Sequence, residues 1–397
     1  MAMALLFLAI FGSILGLTIL FPILGPLGRS LGLSETEIGS ISTGYALAQF
    51  LTAPFWGKQS EKWGRKKVIL VGLFGFCFGF AAFGWIAMLG LQGSVNHKAL
   101  IAGLIASLFL GGALCAATLP TAQAYAADFS ETSDRTRAMA AVGAAFGLAI
   151  VVGPGIGALA ARIGGLLAPI WLSVILSLVN ALLVTLFLPE PKRRHQSTNS
   201  PGLLNVAQKV PHLLIAGFAT TMASVAMEQT IAFVFEDRLK LRHDEAPGWI
   251  GIGLVAYGIS AVFAQGILVR SFSLSPRALL LSGLPLAAIS MALLAIANSF
   301  TLLLICLACQ GLGQGMIGPG ITAALSLGVD QNEQGTIAGI HSSSQALGRL
   351  AGPLVGGGLY EWSEKYPYIF GAGLFFLLLI LLSNSKELKS PKSIPIT

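Results

Sequence analysis

Three ionisable side chains stand inside long apolar stretches of this 397-residue sequence: Glu228, His341 and Arg349. Glu228 is the only one of the seventeen acids to lie well inside such a stretch, because the others fall in loops or near predicted helix ends. A charge in hydrocarbon costs about 2.5 to 3.5 kcal/mol or more, so Glu228 should face a cavity and be paired or protonated. His341 and Arg349 are its candidate partners, since eight residues separate them by about two turns on similar faces of one helix. We predict that all three line a substrate or proton pathway.

Each of these residues also has a purely structural interpretation. Glu228 could lie at an outer cavity mouth reached by water. Arg349 could be a structural cation at a bend formed by Gly352 and Pro353, and His341 could be a solvated residue at the entry of its helix. The sequence leaves these alternatives open.

Uncharged polar side chains recur at similar depth in several apolar stretches. A tunnel with apolar walls and scattered amides and phenols would suit an amphipathic compound held by few directional contacts. The candidate pathway residues of this kind are Tyr45, Gln49, Gln123, Tyr257, Gln310, Gln314 and Gln345.

The composition identifies the environment of these residues. Apolar residues make up 55% of the chain and charged residues only 10%, which no soluble or disordered protein could sustain. The net charge of +7 does not indicate nucleic-acid binding, because the 24 basic residues form short clusters between apolar runs. The four cysteines lie in apolar runs, and the C-x-x-C spacing of Cys306 and Cys309 has no further ligand nearby, so we expect neither disulfides nor a metal site.

Twelve runs are long enough to cross a bilayer, which takes roughly 20 helical residues. Each run must form a helix, because lipid offers backbone groups no other partner. The predicted spans are 4–27, 37–56, 68–91, 99–127, 138–161, 166–188, 211–235, 248–269, 278–297, 300–328, 336–358 and 366–383. With both termini in the cytoplasm, sixteen Lys and Arg residues lie inside and seven outside, with Arg349 in a span, as the positive-inside rule requires. The first span lacks a basic n-region and a cleavage site and should remain as a helix.

The two halves of the sequence match each other. An offset of 199 residues pairs Gly153-Pro154 with Gly352-Pro353 and Gly112 with Gly311, and an offset of 212 pairs Tyr45 with Tyr257. We therefore predict an all-α membrane protein with two six-helix pseudo-repeats, residues 1–188 and 211–383, joined by a cytoplasmic linker, 189–210, and followed by a tail, 384–397. Such repeats are typical of secondary transporters, whose binding site lies between the repeats.

The loop between predicted helices 2 and 3 carries Gly57, Glu61, Gly64 and Arg65 among five basic residues. This spacing resembles the loop 2–3 signature of the major facilitator superfamily, with Glu61 in place of Asp and Lys62 in place of Arg. We expect Glu61 and Arg65 to pair with each other or with Asp128, forming a cytoplasmic latch that holds the outward-open state.

Predicted helix 5 carries Gly153, Pro154 and Gly157 in a G-P-x-x-G pattern, which allows a close neighbour and a bend. This pattern resembles the helix 5 signature of the twelve-helix drug/proton antiporters of that superfamily, although Ala158 replaces a second terminal Gly. The resemblance implies the major facilitator fold and export by antiport. The Arg that the family carries near the start of helix 4 is absent here, so its proton-relay role does not transfer.

The sequence lacks motifs for ATP hydrolysis, zinc proteolysis and serine hydrolysis, and its one G-x-G-x-x-G, at Gly313, lies in an apolar helix without a preceding strand. We therefore expect no cofactor, no metal and no enzyme activity, and transport driven by a gradient.

The favoured hypothesis is a proton-coupled exporter of a small organic compound, working by alternating access as a monomer in a bacterial inner membrane. The alternatives are an importer of a nutrient or metabolite, including siderophore-like organic anions, and a non-transporting receptor or scaffold. The latter would need a larger soluble domain than this sequence contains.

Overall fold

The computed structural model describes residues 2–129, 135–190, 203–269, 274–330 and 333–385. In this part of the chain, twelve long helical spans follow one another. They are α1 (Ala2–Thr18, continued by Phe21–Ser30), α2 (Glu35–Trp63), α3 (Arg65–Leu91), α4 (His97–Cys115, continued by Thr118–Phe129), α5 (Arg135–Gly164), α6 (Ala168–Phe187), α7 (Pro211–Leu239), α8 (Ala246–Phe263, continued by a π-helical turn Ala264–Val269), α9 (Pro276–Leu294), α10 (Phe300–Leu327), α11 (Gln334–Trp362) and α12 (Tyr366–Asn384).

Each span coincides with one of the twelve predicted from the sequence, so the predicted fold class is confirmed. Ten of the described spans are long and apolar enough by composition to cross a membrane. The other two are α2 and α11, which carry the loop motif and the pair His341 and Arg349 respectively. Their polar faces must be turned away from lipid, because hydrocarbon does not solvate such groups.

Two of the spans predicted as single runs are broken. The first segment of α1 ends at Thr18, and a second begins at Phe21 with Pro22 in its first turn. In α4 the break falls at Ala116 and Ala117, shortly before Pro120. Proline lacks an amide N–H and is tolerated best at the start of a helix, so a new segment begins close to each proline.

The chain divides into two compact units, one of Met1–Gln196 with Gln229–Val255 and one of Ser197–Glu228 with Ala256–Thr397. In the first unit α1 packs on α5 and α6, and α4 packs on α2 and α3. In the second, α9 packs on α10 and α12, and α10 lies against the end of α8. Most of the predicted linker and tail lies outside the described residues, but a short helix, Leu203–Ala207, falls within the linker.

The sequence repeat reappears as a repeated contact, one copy in each unit. A Cβ at Gly112 would lie 2.7 Å from the carbonyl oxygen of Tyr45, so α4 meets the α2 backbone there. A Cβ at Gly311 would overlap the carbonyl oxygen of Tyr257, so α10 meets α8 in the same manner. These glycines and tyrosines are the residues that the two sequence offsets pair. Small residues let helices approach this closely where packing must replace the hydrophobic effect.

Candidate functional site

Glu228 lies near the middle of α7, and its carboxyl group accepts a hydrogen bond from the phenol of Tyr257, near the middle of α8. Arg349, near the middle of α11, acts electrostatically on the same carboxyl group. The structure therefore brings Arg349 to Glu228, as the sequence suggested. It adds Tyr257, which the sequence marked as a pathway residue but not as a partner of the acid.

Packing of α11 on α7 places these groups together. Added Cβ atoms at Gly348 and Gly356 would lie 2.7 Å and 2.8 Å from the carbonyl oxygens of Phe218 and Ala226. Gly352 lies between them, and a Cβ there would be 2.8 Å from the Val225 side chain. This stripe of every fourth residue lets the two backbones approach closely. Arg349 and the buried Pro353 each directly follow a glycine of this stripe, on the helix that meets α7.

His341 is buried, with 8% of its surface exposed, which rules out the interpretation as a solvated residue at the helix entry. Its ring lies against Gly217 of α7, where a Cβ would be 2.7 Å from Nδ1. Nδ1 has no hydrogen-bond partner within the described part of the chain, and Arg349 acts electrostatically on the ring. His341 therefore shares the polar side of this unit with Arg349 but makes no described contact with Glu228.

Two amides of α10 also have buried polar atoms in this unit. Gln310 is fully buried, and its Oε1 accepts a hydrogen bond from Ser290 Oγ at 2.6 Å. Its Nε2 and that of Gln314 are buried and make no hydrogen bond with any residue that the structure describes. An unsatisfied buried donor costs about 1 to 3 kcal/mol, so both amides weigh against the stability of the fold. Gln345 lies one turn before Arg349 on α11 and is partly buried.

In the other unit, the polar residues of α2 find partners on α4. Tyr45 and Gln49 both hydrogen-bond with the thiol of Cys115. Gln123, on the second segment of α4, has an exposed side chain. Tyr45 and Gln49 are therefore satisfied within their own unit, unlike Gln310 and Gln314.

The G-P-x-x-G segment of α5 packs against the break in α1. A Cβ at Gly153 would overlap the hydroxyl of Thr18, and one at Gly157 would overlap the carbonyl oxygen of Ile19. Thr18 Oγ1 donates to Ala149 O at 2.9 Å. Pro154 lies inside α5, between the two glycines. The motif thus provides the close approach that the sequence predicted, and the neighbour is a helix end rather than a continuous helix.

Ala158 stands where the resembled signature has a second glycine, and a glycine of another helix lies opposite it. A Cβ at Gly251 of α8 would overlap the Cβ of Ala158. The glycine that allows close approach at this contact is therefore on α8 and not on α5.

The predicted loop between helices 2 and 3 is almost entirely helical, because α2 continues to Trp63 and α3 begins at Arg65. Glu190, which sequence analysis did not single out, organises the junction at Gly64. Its carboxylate accepts hydrogen bonds from the backbone N–H of Arg65 at 2.5 Å and of Lys66 at 3.1 Å. It therefore caps the first turn of α3, where a negative charge is favoured. Gly64 takes φ +101° to begin this turn, and Arg65 Nη1 donates to Ser60 Oγ at 2.5 Å.

The other residues of this motif make fewer described contacts. Glu61 is exposed, and nothing lies within 4 Å of a Cβ placed on Gly57. The side chain of Asp128 lies outside the described residues, so the latch of Glu61, Arg65 and Asp128 stays a prediction.

An ionic cluster at the predicted outer side joins the ends of α1 and α7, and the sequence did not reveal it. The guanidinium of Arg29 binds Glu35 at 2.6 Å, Asp237 at 2.5 Å and Glu236 at 3.2 Å. It also lies over the Phe233 ring, 4.8 Å from the centroid. Glu35 is close to Arg29 in sequence, but Glu236 and Asp237 are more than 200 residues away, so only the helix arrangement brings these two acids to Arg29.

Together, the twelve spans and the polar groups at mid-span depth define a polytopic helical membrane transporter. The sequence profile of the Major Facilitator Superfamily matches residues 6–273 and 243–395, and the chain belongs to this superfamily. It is 26% identical over 394 residues to multidrug resistance protein 2 of Bacillus subtilis (strain 168), covering 96% of this chain and 94% of the relative. It is 23% identical over 392 residues to the quinolone resistance protein NorA of Staphylococcus aureus (strain MRSA252), covering 96% of each.

A solved structure agrees with this assignment. The human organic anion transporter MFSD10 (TETRAN) superposes with a TM-score of 0.69 at 21% identity, covering 96% of this chain and 98% of that one. At this identity the likeness shows the fold. The relatives confirm the resemblance to the drug/proton antiporter group.

Proposed function

We propose that this protein is a proton-coupled exporter of a small amphipathic organic compound, working by alternating access. The names of its relatives, a multidrug resistance protein and a quinolone resistance protein, support export of such compounds. We place it in a bacterial inner membrane, as a monomer with both termini in the cytoplasm, in agreement with the distribution of basic residues along the sequence.

The observation that carries the proton coupling is the environment of Glu228. It is the only acid of the sequence well inside a span, and it has both a phenol donor, Tyr257, and a nearby cation, Arg349. A carboxyl group with these neighbours changes its interactions when it gains or loses a proton, because only the ionised form attracts Arg349. Proton binding would thereby alter how α7 holds α8 and α11.

The glycine contacts provide places where helices can move without separating. Gly153 and Gly157 of α5 contact Thr18 and Ile19 at the break in α1. Glu61, Arg65 and Asp128 form the proposed cytoplasmic latch. A transporter with two nearly balanced states needs only about 1 kcal/mol to shift its populations several-fold. We propose that substrate and proton shift this balance in opposite directions.

Substrate-dependent proton flux in everted membrane vesicles tests the proposal across a compound panel. Wild-type protein should release protons when a transported compound is added, and Glu228→Gln should slow this flux by about tenfold or more while remaining in the membrane. Glu245→Gln, which removes an exposed loop acid at the start of α8, is the matched control and should behave as wild type.

Three outcomes would contradict the proposal. Intact proton-driven export by Glu228→Gln would remove the carboxylate from the coupling. Uptake in right-side-out vesicles without export in everted ones would make the protein an importer. A complete lack of flux across the panel would favour a receptor or scaffold.

A further inference from the structure

Arg349 combines two properties that are seldom found together: it lies near the middle of a membrane span, and its side chain is exposed. Facing lipid at this depth would cost about 2.5 to 3.5 kcal/mol or more. The exposed leucines of α11, Leu347 and Leu354, mark its apolar side. At 3.6 residues per turn, Arg349 lies about 140° to 160° around the helix from both of them. The guanidinium therefore points away from the apolar face and into the polar interior of its unit.

Arg349 and Glu228 carry opposite charges that act on each other electrostatically, and both retain capacity for a ligand. A guanidinium has five N–H donors in a planar fork, and a carboxylate has about four acceptor positions. The hydrogen bond from Tyr257 occupies one of the acceptor positions of Glu228. Glu228 and Tyr257 are each partly exposed. The unit thus offers a guanidinium that can bind an anion and a carboxylate that can bind a cation, and the two groups interact electrostatically.

The opposite charges of Arg349 and Glu228 restrict which ligands suit this pair. A ligand that brings only a positive charge would satisfy Glu228 but would meet Arg349 unfavourably. A ligand that brings only a negative charge would satisfy Arg349 but repel Glu228. A molecule with both charges would satisfy both side chains.

We infer that the transported compounds are zwitterions, with a carboxylate bound by Arg349 and a protonated amine bound by Glu228. This inference rests on the proposed function and names its substrate class. The carboxylate takes two parallel N–H bonds from the guanidinium, and the ammonium donates to the Glu228 carboxylate. A proton arriving at Glu228 removes the charge that holds the amine, so proton and substrate compete for one group. This competition is what exchange of a proton for substrate requires.

Four forms of one scaffold test the inference on the wild-type protein. A piperazinyl quinolone carboxylic acid carries both charges at neutral pH. Its methyl ester is a cation, its N-acetyl derivative is an anion, and the doubly blocked form is neutral. Binding to purified protein, measured by ligand-dependent thermal shift at several concentrations, should weaken about tenfold or more when either charge is blocked.

Two variants assign each charge to its residue. In Arg349→Gln, the affinities for the zwitterion and the ester should agree within about twofold. N-acetylation of the amine should still weaken binding. In Glu228→Gln, N-acetylation of the amine should no longer weaken binding, whereas esterification of the carboxylate should still weaken it. Arg349→Lys should keep part of the carboxylate preference, since a lysine supplies the charge without the planar fork. Arg277→Gln, an exposed cation at the start of α9, is the matched control and should retain the wild-type pattern.

The outcomes separate this inference from the proposed function. Equal binding of all four compounds, or tighter binding of the ester than of the zwitterion, overturns the zwitterion assignment even if export is observed. Binding of none of the four, together with proton flux driven by other compounds, overturns it as well and leaves the proposed function standing. Lack of flux with every compound overturns the proposed function instead. Because the four-compound comparison uses wild-type protein, it stays decisive if a variant fails to fold.

Discussion

Tyr257 donates its phenolic hydrogen bond to the carboxyl group of Glu228, and so connects the middle of α8 to the middle of α7. Both residues lie near the middle of apolar helices, and Glu228 is the only acid that the sequence places well inside such a helix. Glu228 therefore has a neutral neighbour, Tyr257 of α8, and a cationic neighbour, Arg349 of α11.

The first prediction concerns this hydrogen bond. Glu228→Gln and Tyr257→Phe should each slow proton-coupled transport by about tenfold or more, and the double variant should be little slower than the worse single variant. The reason is that residues sharing one interaction give non-additive effects. Initial rates in proteoliposomes measure this coupling. Additive losses would show that the two side chains act independently.

The second prediction concerns the contact between Gly157 of α5 and the break in α1. Gly157→Leu should abolish coupled transport while the protein stays in the membrane, because its side chain would meet the carbonyl oxygen of Ile19. Gly157→Ala should lower the unfolding free energy by about 1 to 3 kcal/mol through overpacking. Gly147→Ala on the same helix is the control, since no described atom lies within 4 Å of a Cβ there. Thermal unfolding in detergent compares the alanine variants, and equal stability would contradict the packing argument.

The third prediction concerns the outer ionic cluster. Arg29→Gln should destabilise the folded protein by about 3 to 5 kcal/mol, because it leaves Glu236, whose side chain is only 2% exposed, with His243 as its remaining described ion-pair partner. Arg242→Gln removes the exposed pair with Asp244 and should cost at most about 1 kcal/mol. Thermal unfolding in detergent compares the stabilities of these two variants with that of the wild type. Equal effects of the two variants would show that the cluster contributes no more than a surface pair.

The fourth prediction concerns pH and rests on Lys209, whose Nζ lies 2.6 Å from Glu333 and 3.1 Å from Asp330. The ammonium lowers the pKa of Glu333 below its ordinary 4.5, and the hydrogen bonds of both acids raise the pKa of Lys209 above 10.5. The stabilisation from Glu333 is therefore complete above pH 4.5 and is lost as the pH falls through the lowered value. That from Lys209 is complete below pH 10.5 and is lost as the pH rises through the raised value.

Unfolding temperatures measured across pH test this contact. Glu333→Gln should flatten the acid side of the profile and leave the unfolding temperature of the variant less dependent on pH below 4.5. Lys209→Met should remove the decline on the alkaline side. Asp244→Asn, in an exposed pair elsewhere, is the control and should keep both declines. Unchanged profiles in both variants would mean that this contact adds no stability.

The sequence by itself determined the twelve spans, because lipid permits only helices with internally satisfied backbones and each such helix needs a long apolar run. It also named Arg349 and His341 as candidate partners of Glu228, because an unpaired charge at that depth is unfavourable. The pairing of Tyr45 with Tyr257 and of Gly112 with Gly311 was visible as a repeat, and each glycine now lies on the carbonyl of its tyrosine.

Only the tertiary structure decided which faces of the helices meet. Apolar periodicity says little about this in a membrane protein, since lipid and protein neighbours are equally apolar. Glu190 caps α3 from a distant position in sequence, and Arg29 finds Asp237 across more than 200 residues. Tyr257 reaches Glu228 only because α8 lies beside α7 at that depth. These contacts depend on helix rotation and neighbour order, which local sequence does not encode, whereas the existence of each helix depends on its own residues alone.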